Sequence, residues 1–255
     1  MKHFTLAAVI LYVLGAQAAP DRTPRIIEGN IALHQPYNAY ILYLNQNNAG
    51  FFSGGSIISN RHILTSARNI VGFVRWNVGL GSNVFVELSY IVSTEAIAHP
   101  LFDRDTWLND IGIIVLPVSL VFTIHINPVA LPQLSESMLP YVNEEGSIVG
   151  FGFTDGSSTT HANVLHRAFQ RVITDARCQA RYPVTAPEHF CAEDTAGSSN
   201  VCNGDIGAGF ITELRGVPIL TGIATLITEN CGNSYPTGYT RVASFRSWIY
   251  SVAQI

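Results

Sequence analysis

Apolar stretches of four to eight residues recur about every ten residues along the chain, and Gly, Asn and Pro separate them. Ala39–Leu44 is one. Gly55–Ile58 and His62–Thr65 flank a turn at Ser59–Arg61. Val84–Leu88 alternates apolar and polar, Ile111–Leu116 is continuously apolar, and Ser147–Phe151 and Val217–Ile223 complete the series. β-Branched and aromatic side chains dominate these runs. Short strands of this kind, closely spaced and punctuated by turn residues, predict an all-β barrel or sandwich. Helical spacing is confined to two places. One short helix is predicted after Thr174-Asp175, with Asp175 as its N-cap. The other is C-terminal, where Ser244 caps a stretch carrying Phe245, Trp248, Ile249 and Val252.

The first residues break the pattern. Lys2 and His3 precede an apolar run from Phe4 to Leu14, and Ala16-Gln17-Ala18 follows as a small-residue cleavage site. Residues 1–18 therefore read as a secretory signal peptide. The run is shorter than the roughly 20 residues that span a bilayer. Residues 19–25, rich in Pro and charge, read as a short propeptide, which leaves 26–255 as the folded domain. Secretion places the chain in an oxidising compartment, outside the cell. Cys178, Cys191, Cys202 and Cys231 all fall in the second half. Four cysteines allow three pairings, and the spacing alone selects none. No C-x-x-C pair suggests zinc, and no H-E-x-x-H occurs. No metal and no cofactor is expected.

Composition narrows the function classes. Fourteen Lys and Arg face 18 Asp and Glu, for a net charge of −4. A nucleic-acid binder needs a basic face to neutralise phosphates, so that class is disfavoured. No basic run suggests a membrane surface. With charged residues at 13% and hydrophobic residues at 47%, the chain can bury a large core.

Four segments then have to be read together: Pro24–Gly29 (PRIIEG); Ser53–Ile58 (SGGSII) with Leu64–Asn69 (LTSARN); Asn109–Ile114 (NDIGII); and Cys202–Gly209 (CNGDIGAG). His99-Pro100, Gly150-Phe151-Gly152 and Pro236–Val242 (PTGYTRV) add landmarks in the same order. In order and spacing they resemble the chymotrypsin/trypsin family of serine proteases, its insect chymotrypsin-like members above all, over Ile26–Ile255. The resemblance implies two six-stranded antiparallel Greek-key β-barrels with a C-terminal helix.

It also exposes departures. Where the family reads T-A-A-H-C, with His as general base, this chain has Arg68. Where the family reads G-D-S-G-G, with Ser as nucleophile, it has Ile206. The orienting aspartate remains as Asp110. Ile206 has no nucleophilic atom, and a guanidinium stays protonated at neutral pH, so Arg68 is no base. Losing the nucleophile or the base in another serine protease costs about 2 × 10⁶ in turnover, roughly 8–9 kcal/mol of barrier. Backbone N–H groups of Gly204 and Ile206 can still form the oxyanion hole that the resemblance implies. Ser66 and His62 are near in sequence, but their offsets do not match the missing roles. Ser53 and Asn69 stand where the family carries a cysteine pair beside its triad. The loss of both together suits a refolded site.

The resemblance places the primary specificity pocket at Asn200, Thr225, Ile227 and Thr237. A neutral Asn does not attract Lys or Arg as a carboxylate does, and Ile227 in place of a glycine narrows the cleft. Arg25-Ile26 resembles the activation cleavage site, whose new ammonium would pair with Asp205. Family pairing implies the disulfides Cys178–Cys191 and Cys202–Cys231. Arg68 has two readings: a cationic hook for an acidic partner, or a salt bridge that pairs an otherwise unpaired Asp110. The cost of burying a lone charge favours the second.

The sequence therefore reads as a secreted, catalytically inactive serine protease homologue, monomeric by family default, that binds another protein in a proteolytic cascade, in immunity or in a secretory fluid. The alternatives are an active endopeptidase with an unconventional site, an inhibitor or substrate decoy, and a storage secretion.

Overall fold

Strand boundaries follow the apolar runs closely. The computed structural model describes residues 30–136, 140–154, 160–183, 187–194, 200–228 and 235–255. Fourteen strands appear among them: β1 (Asn30–Ile31), β2 (Asn38–Leu44), β3 (Gly50–Ile57), β4 (His62–Thr65), β5 (Arg75–Leu80), β6 (Ser89–Ser93), β7 (Glu95–Ala98), β8 (Gly112–Val115), β9 (Glu145–Gly150), β10 (His166–Val172), β11 (His189–Glu193), β12 (Gly209–Leu214), β13 (Val217–Leu226) and β14 (Thr237–Arg241). Two helices accompany them, α1 (Asp175–Arg181) and α2 (Arg246–Ala253). The signal and propeptide segments, Arg25, Ile26 and Cys231 lie outside the described residues.

All strand pairs are antiparallel, in two curled sheets. The first runs β6-β5-β2-β3-β4-β8-β7. Only Thr94 separates β6 from β7, so they are two arms of one bent strand and the sheet curls into a six-stranded barrel. Ser93 holds the bend, its hydroxyl donating to the Val115 carbonyl at 2.6 Å. The second sheet runs β10-β11-β14-β13-β12-β9 and closes where β9 pairs β10, His166 opposite Gly150. The two-residue β1 adds to its β10 edge. This is the predicted pair of six-stranded barrels.

Each barrel is filled from the inward face of its strands. Ile41, Ile57, Ile63, Trp76, Val78 and Ile114 fill the first. The second is built on aromatics, with Tyr239 ring centroids 4.7 Å from Phe210 and 5.3 Å from Phe190. A third cluster, including Tyr40, Leu64, Phe151, Ile223 and Ile249 of α2, cements the barrels to each other. Burying a side chain of this size contributes about 1.5–3 kcal/mol, so the seam between barrels is a strong, rigid floor for whatever lies on it.

Three local expectations are corrected. Val84–Leu88 is not a strand; Phe85–Glu87 is a turn of 3-10 helix. Its alternation is overridden by packing, because Phe85 is drawn onto Tyr40 and stacks on His161 at 3.7 Å. The cap of α1 is Thr174, not Asp175: the Thr174 hydroxyl accepts from the Arg177 amide, and Asp175 sits in the first turn, where its charge favours the helix N-terminus. Ser244 does not cap α2. It lies inside a 3-10 turn, Val242–Phe245, that runs directly into the helix.

No helix among the described residues is long and apolar enough to cross a membrane.

Candidate functional site

The pairing of β4 with β8 sets Thr65 opposite Gly112. This register brings the segment after β4 against Asp110, two residues before β8. There a 3-10 turn, Ala67–Asn69, presents Arg68 to Asp110. The Asp110 carboxylate is fully buried and takes three donors. Ser66 Oγ donates to Oδ1 at 2.5 Å, the Arg68 amide donates to Oδ1 at 2.9 Å, and Arg68 Nε donates to Oδ2 at 2.7 Å. The anticipated Arg68–Asp110 ion pair is formed. Such a charge-assisted bond to a desolvated carboxylate is strong, because little water screens it.

The guanidinium is held flat as well. Its Cζ lies 3.7 Å from the centroid of the Trp107 ring, a cation–π contact. Trp107 adopts a left-handed backbone, φ 59°, and its backbone hydrogen-bonds buried His189, whose pKa burial lowers. Nothing in the period of the sequence singled out Trp107. It lies in a loop, and its partners are distant in the chain.

The loop between β11 and β12 supplies the second half of the site. Gly204 and Gly207 have φ of 93° and 91°, a region that side chains rarely adopt. Ile206, half-buried, anchors this loop to the first barrel through its carbonyl, which accepts from the Gly54 amide at 3.1 Å and from Asn69 Nδ2 at 3.2 Å. Asn69 also donates to Thr65 Oγ1, and its own carbonyl accepts from Trp76 Nε1 at 2.8 Å. Asn69 thus ties the turn bearing Arg68 to the loop bearing Ile206. Sequence reading marked Asn69 only as a missing cysteine. Its partner at position 53 is buried, and the Ser53 hydroxyl has no hydrogen-bond partner. The N–H groups of Gly204 and Ile206 donate to no carbonyl among the described residues.

Arg68, Asn69, Gly204 and Ile206 line a cleft of about 350 Å³ together with Tyr43, Phe51, Phe52 and Phe153. Phe52 abuts Gly204 so closely that a Cβ there would lie 2.2 Å from its ring.

Of the residues assigned to the primary pocket, Asn200 and Thr237 are hydrogen-bonded to each other. Asn200, Thr225 and Thr237 are buried, and Ile227 packs partly against the second barrel's core. Asn200 is occupied by its own chain. Its Oδ1 accepts from Thr237 Oγ1 at 2.8 Å and from the Val201 amide at 2.9 Å, and its Nδ2 donates to the Tyr235 carbonyl at 2.8 Å. Thr225 Oγ1 donates to the Gly238 carbonyl. The adjoining walls, 195–199 and 229–234, lie outside the described residues.

Asp205 sits beneath the loop, wholly buried. Its carboxylate accepts from the Gly152 amide at 2.9 Å and the Cys202 amide at 3.2 Å. Burial outweighs these bonds and pushes its pKa up to about 7. Cys178 and Cys191 are disulfide-bonded, tying α1 to β11. Cys202 is also disulfide-bonded. Among the described residues no group of three or more His, Cys, Asp or Glu side chains converges as a metal site would require.

Paired antiparallel barrels, a C-terminal helix on their seam and a cleft between them define the chymotrypsin-like class. Comparison with known proteins agrees. The family model described as Trypsin matches residues 28–249, and the chain belongs to the trypsin family of serine proteases. It is 32% identical over 260 residues to a collagenase of Hypoderma lineatum, covering 98% of this chain and 97% of that one. The solved structure of HL collagenase superposes with a TM-score of 0.81 at 30% identity, covering 90% of this chain and 99% of the other. A third relative is named an inactive CLIP domain-containing serine protease A8, from Anopheles gambiae. It is 27% identical over 221 residues, 80% of this chain and 60% of that protein.

Proposed function

We propose that this trypsin-family chain is a secreted, non-catalytic homologue that works by binding another protein. The observation that carries the reading is the Arg68–Asp110 ion pair at 2.7 Å. A permanent cation occupies the position that the family motif gives to an imidazole base, and Ile206, without a nucleophilic atom, occupies the serine position. Ser66 is no substitute nucleophile: it is fully buried and its hydroxyl is committed to Asp110. The donors of the oxyanion hole, Gly204 and Ile206, stabilise a developing anion only if something attacks, and neither neighbouring side chain does.

Other features support a maintained scaffold. At a position where the family carries half of a covalent brace to position 53, Asn69 instead hydrogen-bonds the Arg68 turn to the Ile206 loop. Asn200 is saturated by Thr237, the Val201 amide and the Tyr235 carbonyl, which speaks against its holding a bound side chain as a decoy's pocket would. Disulfides form in oxidising compartments, so Cys178–Cys191 suits secretion after removal of residues 1–18. Asp205, buried and raised to about 7, suits capture of an Ile26 ammonium after cleavage at Arg25. The partner is a protease, an inhibitor or another secreted protein of a cascade, of immunity or of a secretory fluid. Reaction of the purified chain with a fluorophosphonate probe tests the reading: silence supports it, and labelling overturns it.

A further inference from the structure

A second groove, of about 670 Å³, shares no lining residue with the cleft that holds Arg68. It lies on one face of β10, β9 and β12, where the register sets Phe169 opposite Ser147 and Ser147 opposite Ile211. Gln35 and Tyr37, from the segment before β2, line it too. Two of its groups are left unsatisfied by the fold. Tyr37 is only 9% exposed, yet its hydroxyl has no hydrogen-bond partner among the described residues and is not sealed from solvent. Burial pushes its pKa up to about 12, and the neighbouring Arg167 cation draws it back in part. Arg167 has no ion pair among the described residues. Its Nε is buried without a partner, a costly state for a charged donor. Its two terminal nitrogens are unpaired as well, but they reach solvent. The guanidinium carbon lies 5.5 Å from the centroid of the Phe169 ring.

Charge changes sign along the strands. Four residues on from Arg167, Arg171 faces Glu145 across the β10–β9 ladder and pairs with it. Glu213 follows Thr212, which pairs Gly146, so it lies at the Glu145 end of the groove. Glu144 and Glu213 line the groove and have no ion pair among the described residues. Between the lone cation and these carboxylates lie exposed Phe169 and Ile211. Four residues of strand span about 13 Å.

We propose that this groove docks an extended segment of a partner protein that carries an acidic, an apolar and a basic side chain at alternate positions. The acidic side chain takes hydrogen bonds from the terminal nitrogens of Arg167 and from the Tyr37 hydroxyl. The apolar one covers Phe169 and Ile211, and the basic one meets Glu144 and Glu213. In an extended chain, side chains two residues apart point the same way, so positions i, i+2 and i+4 repeat the distance of about 13 Å from cation to carboxylates. A planar carboxylate matches the two-pronged guanidinium edge. A polyanion is repelled by Glu144, Glu145 and Glu213. A wholly apolar ligand would cover Arg167 and Tyr37 and leave both unpaired. The volume of about 670 Å³ lies within the roughly 300–1,000 Å³ of ligand sites.

This inference rests on the reading of the chain as a binder of another protein. Its test is calorimetric titration of the secreted chain with acetyl-Asp-Ser-Leu-Ser-Lys-amide, whose blocked ends leave only the two side-chain charges. The peptide binds. Replacing its Asp by Asn, or its Lys by Gln, weakens binding about five- to tenfold, the size of one partly solvated charge-assisted contact. Acetyl-Ser-Asp-Leu-Lys-Ser-amide, whose charges leave the face opposite to the Leu, binds as weakly as the uncharged variants. In the protein, Arg167→Gln removes the preference for Asp over Asn. Glu213→Lys, at an exposed position, removes the preference for Lys over Gln. Both readouts are ratios within one variant, so a general loss of stability does not mimic them. No binding of the first peptide, affinities indifferent to its charges, or preferences unchanged in the two variants overturns the proposal. Equal binding of the peptide with adjacent charges overturns the extended pose. Peptide silence alongside fluorophosphonate silence sinks only the groove; labelling by the probe sinks the non-catalytic reading itself.

Discussion

Arg68 Nε stands 2.7 Å from Asp110 Oδ2, and the Arg68 backbone amide stands 2.9 Å from Oδ1 of the same carboxylate. One residue therefore holds both oxygens of a fully buried acid. The guanidinium neutralises a charge that the fold of the family places beneath the cleft, and it does so in a form that carries no basic lone pair.

Removing that partner exposes the cost of the buried acid. Arg68→Ala lowers stability by about 1–3 kcal/mol. This is below the 3–5 kcal/mol typical of a broken buried pair, because Ser66 and the amide remain and Arg68 is partly solvated. Arg68→His costs less than about 1 kcal/mol. Urea denaturation of the two variants side by side checks the order; equal losses would contradict a pairing role.

Asp205 makes stability depend on pH in an unusual direction. Its pKa is raised to about 7 in the folded chain, against roughly 3.9 unfolded. Between those values the folded state binds the extra proton, so stability falls as pH rises from about 4 to 7, by an amount on the order of 4 kcal/mol. Asp205→Asn flattens this fall. In a chain cut before Ile26, an ammonium paired with Asp205 keeps the carboxylate ionised, and the fall disappears. Urea midpoints at pH 4.5 and 7.5, for cut and uncut chains, distinguish these cases. The same slope in both would contradict the pairing.

Gly207 sets the geometry of the Ile206 loop. At φ 91°, a Cβ there would lie 2.3 Å from Thr65 Oγ1 and 2.6 Å from Asn69 Nδ2. Gly207→Ala therefore costs about 2–4 kcal/mol through strain and overpacking. Asn69→Ala, which only deletes the tie to the Ile206 carbonyl and Thr65, costs about 1–2 kcal/mol. Thermal melts rank the two, and a neutral Gly207→Ala would show that the loop is not held as described.

The second barrel has a covalent staple as well. The Cys178–Cys191 bond spans 13 residues, so replacing both cysteines by serine costs about 3 kcal/mol. Proteolytic nicking within α1 should accelerate first, and unchanged protection would count against this role.

How much of this was legible in the sequence varies with the range of the interactions. The β2, β4 and β8 runs stood out because period and composition are local. Val84–Leu88 misled because its alternation is also local, while Phe85 answers to Tyr40 and His161 far along the chain. The Arg68–Asp110 pair followed from charge: a buried acid deprived of its usual partner must find another. The stack of Trp107 on Arg68, the tie from Asn69 to the Ile206 carbonyl and the self-saturation of Asn200 were not visible. Each depends on loop backbone placed by tertiary packing, and residue type alone carries no trace of it.

The most direct test of the central claim uses the mature chain with Ile26 as its N-terminus, treated with a fluorophosphonate probe and a broad peptide library, beside an Arg68→His, Ile206→Ser double variant. The account predicts that the natural chain neither labels nor cleaves, whereas the double variant labels on a scaffold whose donors at Gly204 and position 206 are in place. Labelling or turnover by the natural chain would contradict it.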